Sequence, residues 1–334
     1  MLHVTNGAVV LTRLHDLGLP GRIVPWDDVL HEGPVPGGVS DEVLRHRRAE
    51  FLAINWRDIE EIETGLAARD RALLDAAAGD EIVLWFEHDL YDQLHVLQVL
   101  DLLRSIRPGL GDGAARVTAI LADDYLAAQS DEQLDAWFQA RQGLGESRWS
   151  AAAEAWRLFR ASDPSSLCRF DHPGAWSSLS RAMRRHLQQF PSVRTGLSRS
   201  QAQTLAAVAH GSRPVRDVFR AANHEVEDAV FMGDVAWWWH VRPLLVSPHP
   251  LLRVEGRRPA DLHHPDWWRD DEDAPRLSLT DTGARVAAGE ADHIALNGID
   301  RWLGGVHLVS EASGVQPGGA IWRWDEPRGT VVHG

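Results

Sequence analysis

The sequence predicts an α/β protein with a Rossmann-like parallel sheet in its amino-terminal domain and a mostly helical, winged-helix-like carboxyl-terminal domain. Over the first 145 residues, apolar runs rich in Val, Ile and Leu alternate with helical patterns. Such alternation is typical of parallel strands covered by helices on both faces. In the second half, three helical patterns are followed by two strand-like runs, the order found in a winged helix.

The composition is ordinary for a soluble globular protein, and it excludes several kinds of site. Hydrophobic residues make up 44% of the 334 positions. All 34 basic residues are arginines, which excludes a P-loop lysine and a Schiff-base lysine. The single cysteine, Cys168, excludes an internal disulfide. The net charge of −14 disfavours nucleic acid and anionic membranes. No signal peptide or membrane span is visible, so we expect a cytoplasmic location without a membrane partner.

The elements of the first half follow from apolar runs, periodicity and turn residues. We expect strands at 2–6, 21–26, 82–86 and 116–122. Helices are expected at 8–17, 40–78, 90–105, 131–140 and 150–160. The predicted domains are 1–145, a helical linker region at 146–195, and a Trp-rich domain at 196–334.

Polar residues gather after each predicted strand. Because right-handed crossovers bring the carboxyl ends of parallel strands to one edge, a ligand site is expected there. Asn6 and Gly7 follow the first strand, where the start of a helix offers unpaired N–H groups to an anion. A tight turn without a ligand is the alternative. The dinucleotide pattern G-x-G-x-x-G is absent.

The segment after the second strand, W-D-D-V-L-H-E-G-P, contains Asp28, His31 and Glu32. His31 and Glu32 suit a metal site, or a base with its orienting carboxylate, and Asp28 suits ligand binding. The alternative is a loop stiffened by Pro and Gly with solvated charges. Arg47 and Arg48 follow on a helix, where their guanidinium groups can bind carboxylate or phosphate. A solvated helix face is the alternative, and it is the favoured one for these arginines.

The segment F-E-H-D-L-Y-D-Q follows the third strand. We assign His88 as a general acid/base, with Glu87 orienting it or raising its pKa. Asp89 and Asp92 suit a capping box, in which both carboxylates satisfy backbone donors. Asp92 also remains a candidate ligand residue. No fixed metal-binding spacing such as H-E-x-x-H occurs, so the metal is unknown and a divalent cation stays open.

In the second half, helices are expected at 176–191, 198–209, 214–225 and 231–245, and strands at 251–256 and 275–283. Trp237, Trp238 and Trp239 occupy the place of a recognition helix. A DNA reader needs Arg, Lys, Asn or Gln there, so tryptophans favour packing or a protein partner. Nucleic acid binding by this domain is therefore disfavoured, although it is the one place in the chain for it.

The segments L-H-V-T-N-G, V-L-H-E-G-P-V-P and W-F-E-H-D-L-Y-D-Q resemble the amino-terminal module called domain of unknown function 1835, over roughly residues 1–125. The carboxyl-terminal L-N-G-I-D-R-W-L-G-G-V-H-L is similar to the tail that accompanies this module. The resemblance implies no particular reaction. It implies that a set of polar positions belongs to a family pattern: Asn6, Asp28, His31, Glu32, Glu87, His88 and Asp92. Members commonly read T-N-G-D-S, whereas here Gly7 is followed by Ala8 and Val9.

Three functions are compatible with these patterns. The first is a hydrolase or transferase that acts on a phosphorylated or nucleotide-like small molecule at the sheet edge. The second is a ligand-sensing regulatory protein whose winged helix binds DNA or a protein. The third is an interaction scaffold using the second half, since 12 of the 15 tryptophans lie from Trp137 onward. A small-molecule ligand is expected in the first two, and the oligomeric state is not predicted.

Overall fold

Residues 1–54, 58–110, 116–255, 275–310 and 321–334 are described by a computed structural model. They form two units, Met1–Arg184 with Gly304–Val306 and Arg185–Leu303 with His307–Gly334. The predicted linker region 146–195 is therefore divided between the two units. No helix in the described ranges is both long enough and apolar enough to cross a membrane.

The first unit contains seven α-helices, two short 3-10 helices and six strands among its described residues. The helices are α1 (Ala8–Asp16), α2 (Asp41–Ala53), α3 (Ile59–Ala76), α4 (Leu90–Leu110), α5 (Asp131–Ala140), α6 (Glu146–Phe159) and α7 (Pro173–Leu187). The strands are β1 (Leu2–Thr5), β2 (Arg22–Pro25), β3 (Gly33–Pro34), β4 (Ile82–Phe86), β5 (Val117–Leu121) and β6 (Gln142–Gly143).

Five of these strands form a mostly parallel sheet in the order β2-β1-β4-β5-β6. Parallel pairs join β1 to β2, β1 to β4 and β4 to β5, and only β6 runs antiparallel. The predicted mixed α/β class with a parallel sheet is confirmed. The strand β1 has β2 on one side and β4 on the other, so the chain changes direction across the sheet at β1. Ligands in open α/β sheets bind at such a switch point.

The central strand β4 is buried along its whole length, which explains its continuous apolar sequence. Val83 and Trp85 pack into a core with residues of α1 and α5. The helix α4 packs against β4, and α3 and α6 pack against α4. Both ends of β4 are therefore fixed by packing, and residues 87–89 leave the sheet from a rigid position.

The single helix predicted at 40–78 is wrong. The chain forms α2 and α3 instead, and residues 55–57 lie outside the described residues. Ser40 caps α2 by accepting from the Val43 N–H, and Asp58 caps α3 by accepting from the Glu60 N–H. The second cap signal, Asp58, lies in the middle of the predicted helix, where helical periodicity on both sides masked it.

The second unit contains the remaining described elements. Its helices are α8 (Arg199–Ala207), α9 (Val215–Ala222), α10 (Asp234–Val246), α11 (Asp281–Ala288) and α12 (His293–Asn297). Its strands are β7 (Arg213–Pro214), β8 (Leu252–Glu255), β9 (Arg276–Leu279), β10 (Asp300–Gly304), β11 (Val306–Val309), β12 (Trp322–Asp325) and β13 (Thr330–His333). The strand predicted at 275–283 ends earlier, at Leu279, because Thr280 caps α11.

Candidate functional site

Three buried carboxylates meet at the switch point of the sheet. Glu87, Asp89 and Asp92 each offer a carboxylate oxygen, and these oxygens all lie within 4.8 Å of one another. Each side chain is at most 5% exposed. Within the ranges that the structure describes, this is the one group of three or more His, Cys, Asp or Glu side chains with the spacing of a metal site. We call it the acid cluster.

The start of α4 positions two members of the acid cluster. Asp89 accepts a hydrogen bond from the Asp92 N–H at 3.1 Å, as a capping residue does. Asp92 accepts from the Glu87 N–H at 2.5 Å. The capping role predicted for Asp89 is confirmed, but capping does not use all the oxygens of the cluster. Asp89, directly before α4, and Asp92, in its first turn, thus bring their carboxylates together.

Glu87 completes the acid cluster from the end of β4. Its carboxylate accepts from the Leu126 N–H at 2.7 Å, and its carbonyl accepts from the Gln93 side-chain amide at 2.7 Å. Asn6, directly after β1, donates its side-chain amide to Asp92. Loops after β1, β4 and β5 therefore all contribute to one place, as expected for the carboxyl edge of a parallel sheet.

The acid cluster holds an excess of negative charge. Burial raises the pKa of Glu87 to about 6 and that of Asp89 to about 7. Burial and the charges of Asp89 and Glu87 raise the pKa of Asp92 well above its usual value. In the described part of the chain, no arginine forms an ion pair with any of the three. Three carboxylates this close need a proton or a cation to share, because ionised buried groups repel each other strongly.

An open helix start lies beside the acid cluster. Gly7 precedes α1 with a φ of 46°, which favours glycine, and no side chain caps this helix. Ala8 and Val9 are exposed. The first turn of α1 follows Asn6 directly, and the N–H groups of an uncapped helix start attract anions.

His88 is adjacent to Glu87 in the chain but is not a member of the acid cluster. The His88 ring lies 5.3 Å from the Tyr125 ring. Burial and the positive charge of Arg181 lower the pKa of His88, while Asp123 and Asp124 oppose this. The expected rise in its pKa is therefore not found. A neutral imidazole at pH 7 can accept a proton.

His31 and Glu32 do not join the acid cluster. The ring of His31 lies 5.9 Å from that of Tyr91. The backbone carbonyl of Glu32 accepts from Arg48 at 2.6 Å. Both side chains are buried in the first unit. The functional roles of His31 and Glu32 stay predictions.

Asp28 and Arg48 form a buried ion pair. The guanidinium of Arg48 contacts the Asp28 carboxylate at 2.6 Å, and both side chains are 1% exposed. Arg48 also donates to the carbonyl of Val29. Burial alone would raise the pKa of Asp28, but the charge and hydrogen bonds of Arg48 hold it below its usual value. This geometry favours a structural role in holding the 28–34 loop. Arg47, by contrast, is half-exposed.

Sequence patterns alone do not place Asp89 in the site, because helix capping is a sufficient reason for an Asp at this position. The spacing of three positions between the capping residue Asp89 and Asp92 is the signal that could have placed these two carboxylates together. Gln93, adjacent to Asp92 on the helix, carries no such signal. The sequence gives no signal that Arg181 acts on His88, because the two residues are far apart in the chain. Comparisons with protein-family models and with curated proteins find no match for this chain.

Proposed function

We propose that the protein is a metal-dependent hydrolase or transferase that acts on a phosphorylated or nucleotide-like small molecule at the carboxyl edge of the first unit's sheet. The observation that carries this proposal is the acid cluster without arginine partners among the described residues. Oxygen ligands in a buried, negatively charged group suit Mg²⁺ or Mn²⁺. A divalent cation there would neutralise the carboxylates and polarise a phosphoryl oxygen.

The surroundings of the acid cluster supply the remaining parts of such a reaction. Unpaired N–H groups at the start of α1 suit a phosphate beside the cation. His88, with its lowered pKa, acts as the general base that takes a proton from the attacking water or hydroxyl. Arg181, which faces the Asp123 carboxylate at 3.7 Å on an exposed surface, adds positive charge near the same edge.

A turnover assay tests this proposal. The full chain is incubated with Mn²⁺ and with p-nitrophenyl phosphate, bis(p-nitrophenyl) phosphate and ATP in turn, and product release is followed. We expect turnover of at least one probe, its loss in Asp89→Asn, and a fall of about 10²-fold or more in His88→Gln. The control is Asp58→Asn, which changes a helix-capping Asp outside the cluster. Equal rates in Asp89→Asn and Asp58→Asn would contradict the proposal.

We also infer that the sheet is Rossmann-like, which is supported by the order β2-β1-β4-β5 and its parallel pairs. The resemblance to domain of unknown function 1835 remains our proposal for the family, supported by the three sequence segments that carry it.

A second candidate function is a ligand-sensing regulator with a winged helix. It is favoured by the sheet β7-β9-β8, whose antiparallel strands accompany α8, α9 and α10. Against DNA readout, Trp237, Trp238 and His240 are buried in α10 and leave few side chains for base edges. A salt-dependent mobility shift with duplex DNA would support this candidate, and no shift at low salt would count against its DNA-binding form.

A further inference from the structure

A cavity of about 650 Å³ lies in the first unit between β2 and α3. This volume is in the range of small-molecule sites. Its walls are largely apolar, with Val24, Leu52 and Ile62 among them. Its charged and polar lining consists of two arginines, three carboxylates and a tyrosine: Arg22, Arg69, Asp27, Asp28, Glu61 and Tyr91. None of the residues that we assign to the acid cluster lines it.

One wall of the cavity is the free edge of the sheet. The Arg22 N–H donates to the Met1 carbonyl, and the Trp26 N–H donates to that of Thr5, so even-numbered positions of β2 face β1. Because successive residues of a strand point their backbone groups to opposite sides, Ile23 and Pro25 face outward. They line the cavity with one N–H donor and two carbonyl acceptors. Pro25 lacks an N–H, as edge positions allow.

The opposite wall contains Gly65, in the interior of α3. A Cβ built at Gly65 meets no atom within 4 Å, so no close packing requires glycine there. Its φ is not positive, so the backbone does not require it either. Glycine within a helix costs about 1 kcal/mol relative to alanine. Gly65 is exposed at the cavity, and a side chain there would project into open space.

Tyr91 lines the cavity and directly precedes Asp92 of the acid cluster on α4. Its ring is held edge-on by His95, with ring centres 4.2 Å apart. Its hydroxyl makes no hydrogen bond to any side chain or backbone group in the described ranges. A tyrosine hydroxyl is protonated at neutral pH and can donate a hydrogen bond.

We propose that this cavity binds the heterocyclic base of a nucleoside phosphate, with its polar edge against Ile23 and Pro25 and its faces against the apolar walls. The Tyr91 hydroxyl then donates to the sugar, and the phosphate extends toward the acid cluster. This inference rests on the proposed function and names its substrate class.

The backbone groups at the edge of β2 favour a heterocyclic base over other possible occupants of the cavity. A purely apolar group would leave the Ile23 N–H buried without a partner, which costs free energy. An extended peptide would gain little, since Pro25 offers no donor and the strand has four residues. A planar ring with a donor and an acceptor on one edge matches this wall.

Binding measurements on the full chain test the inference. AMP, GMP, CMP and UMP are titrated by calorimetry, with ribose 5-phosphate as the base-free probe. We expect at least one nucleotide to bind about tenfold or more tightly than ribose 5-phosphate. Gly65→Leu, which fills the cavity, should weaken that nucleotide about tenfold or more. Tyr91→Phe, which removes only the hydroxyl, should weaken it about threefold to tenfold.

The control is Gly174→Leu in α7, where a Cβ also meets nothing within 4 Å. Circular dichroism and urea unfolding check that both leucine variants fold. Equal binding of nucleotides and ribose 5-phosphate, or unchanged nucleotide binding in Gly65→Leu, would overturn the inference.

The outcomes also separate this inference from the proposed function. Nucleoside binding that depends on Gly65, in a protein without metal-dependent turnover, retains the base site and overturns the proposed reaction. If a nucleotide is turned over in a metal-dependent reaction and Gly65→Leu does not change its binding, the proposed reaction is retained and the base site is overturned.

Discussion

Two groups of buried carboxylates in the first unit differ in one respect, the presence of arginine partners. Asp28 is paired with Arg48, and Asp70 contacts Arg45 at 2.9 Å and Arg69 at 3.1 Å. We call these contacts the paired network. The acid cluster of Glu87, Asp89 and Asp92 has N–H donors but no arginine among the described residues.

This difference separates a structural role from a functional one. A buried carboxylate with a bidentate arginine keeps its charge and fastens two segments together. A group of carboxylates without a counter-charge destabilises the fold at neutral pH, so its presence needs a functional reason. We infer that the paired network maintains the loop at 28–34, and that the acid cluster is kept for a cation.

The largest expected effect is in the paired network. Arg48→Met leaves Asp28 buried without a partner, and we expect the free energy of unfolding to fall by about 3–5 kcal/mol. Urea-induced unfolding measures it. Arg47→Met, on the same helix but half-exposed, is the matched control, with a change of about 0.5 kcal/mol or less. Similar small losses in both variants would remove the structural role of Arg48.

A substitution in the acid cluster should have the opposite sign. Asp89→Asn keeps an oxygen for the Asp92 N–H but removes a charge, so we expect stability at pH 8 in EDTA to rise by about 1–3 kcal/mol. Asp28→Asn should instead destabilise, because it leaves Arg48 with a weaker partner. The same unfolding measurement compares the two. If both substitutions destabilised the protein to a similar extent, the proposed difference between the acid cluster and the paired network would be contradicted.

The pH dependence of the free energy of unfolding tests the acid cluster in a second way. The folded pKa of Asp89, about 7, lies above its unfolded value of about 4. Between these values the folded state keeps a proton that the unfolded state has lost. The contribution of Asp89 to stability therefore falls as pH rises through this window. We expect the advantage of Asp89→Asn over the unsubstituted protein, measured by unfolding at several pH values, to grow from about pH 4 to pH 8. If Asp89→Asn were more stable than the unsubstituted protein by the same amount at every pH in this range, the raised pKa of Asp89 would be contradicted.

The smallest expected effect concerns Asn6, which donates to Asp92. Asn6→Ala removes one donor, and we expect the free energy of unfolding to fall by about 0.5–1.5 kcal/mol. Thr12→Ala, which removes an exposed hydroxyl bonded within α1, should change it by less. If the Asn6 variant were no less stable than the Thr12 variant, the amide would contribute nothing to holding the cluster.

The sequence predicts single elements better than it predicts their arrangement. The strand at 82–86 matches β4 because a short, continuous apolar run between polar residues is typical of a buried parallel strand. Asp89 is recognisable as a cap because capping is local. The order of strands is not local, and neither is the choice of Arg48 as the partner of Asp28, 20 positions away. Both depend on how helices pack on the sheet.

The side chains of Glu87 and His88 show that sequence reasoning has the same limit even for two adjacent residues. Adjacent residues at the end of a strand are predicted to act together, but the backbone sends Glu87 into the acid cluster and His88 toward Tyr125. A pattern of residue types does not include side-chain direction. The sequence therefore points to the carboxyl edge of the sheet, where the acid cluster lies, but it does not predict which side chains meet there.

Mn²⁺ binding by calorimetry tests the central claim most directly, with the unsubstituted protein, Asp89→Asn and the control Asp58→Asn measured at pH 8. We predict saturable binding of one ion to the unsubstituted protein and to Asp58→Asn, and an affinity reduced about tenfold or more in Asp89→Asn. No saturable binding to the unsubstituted protein, or equal affinity in all three, would contradict the account.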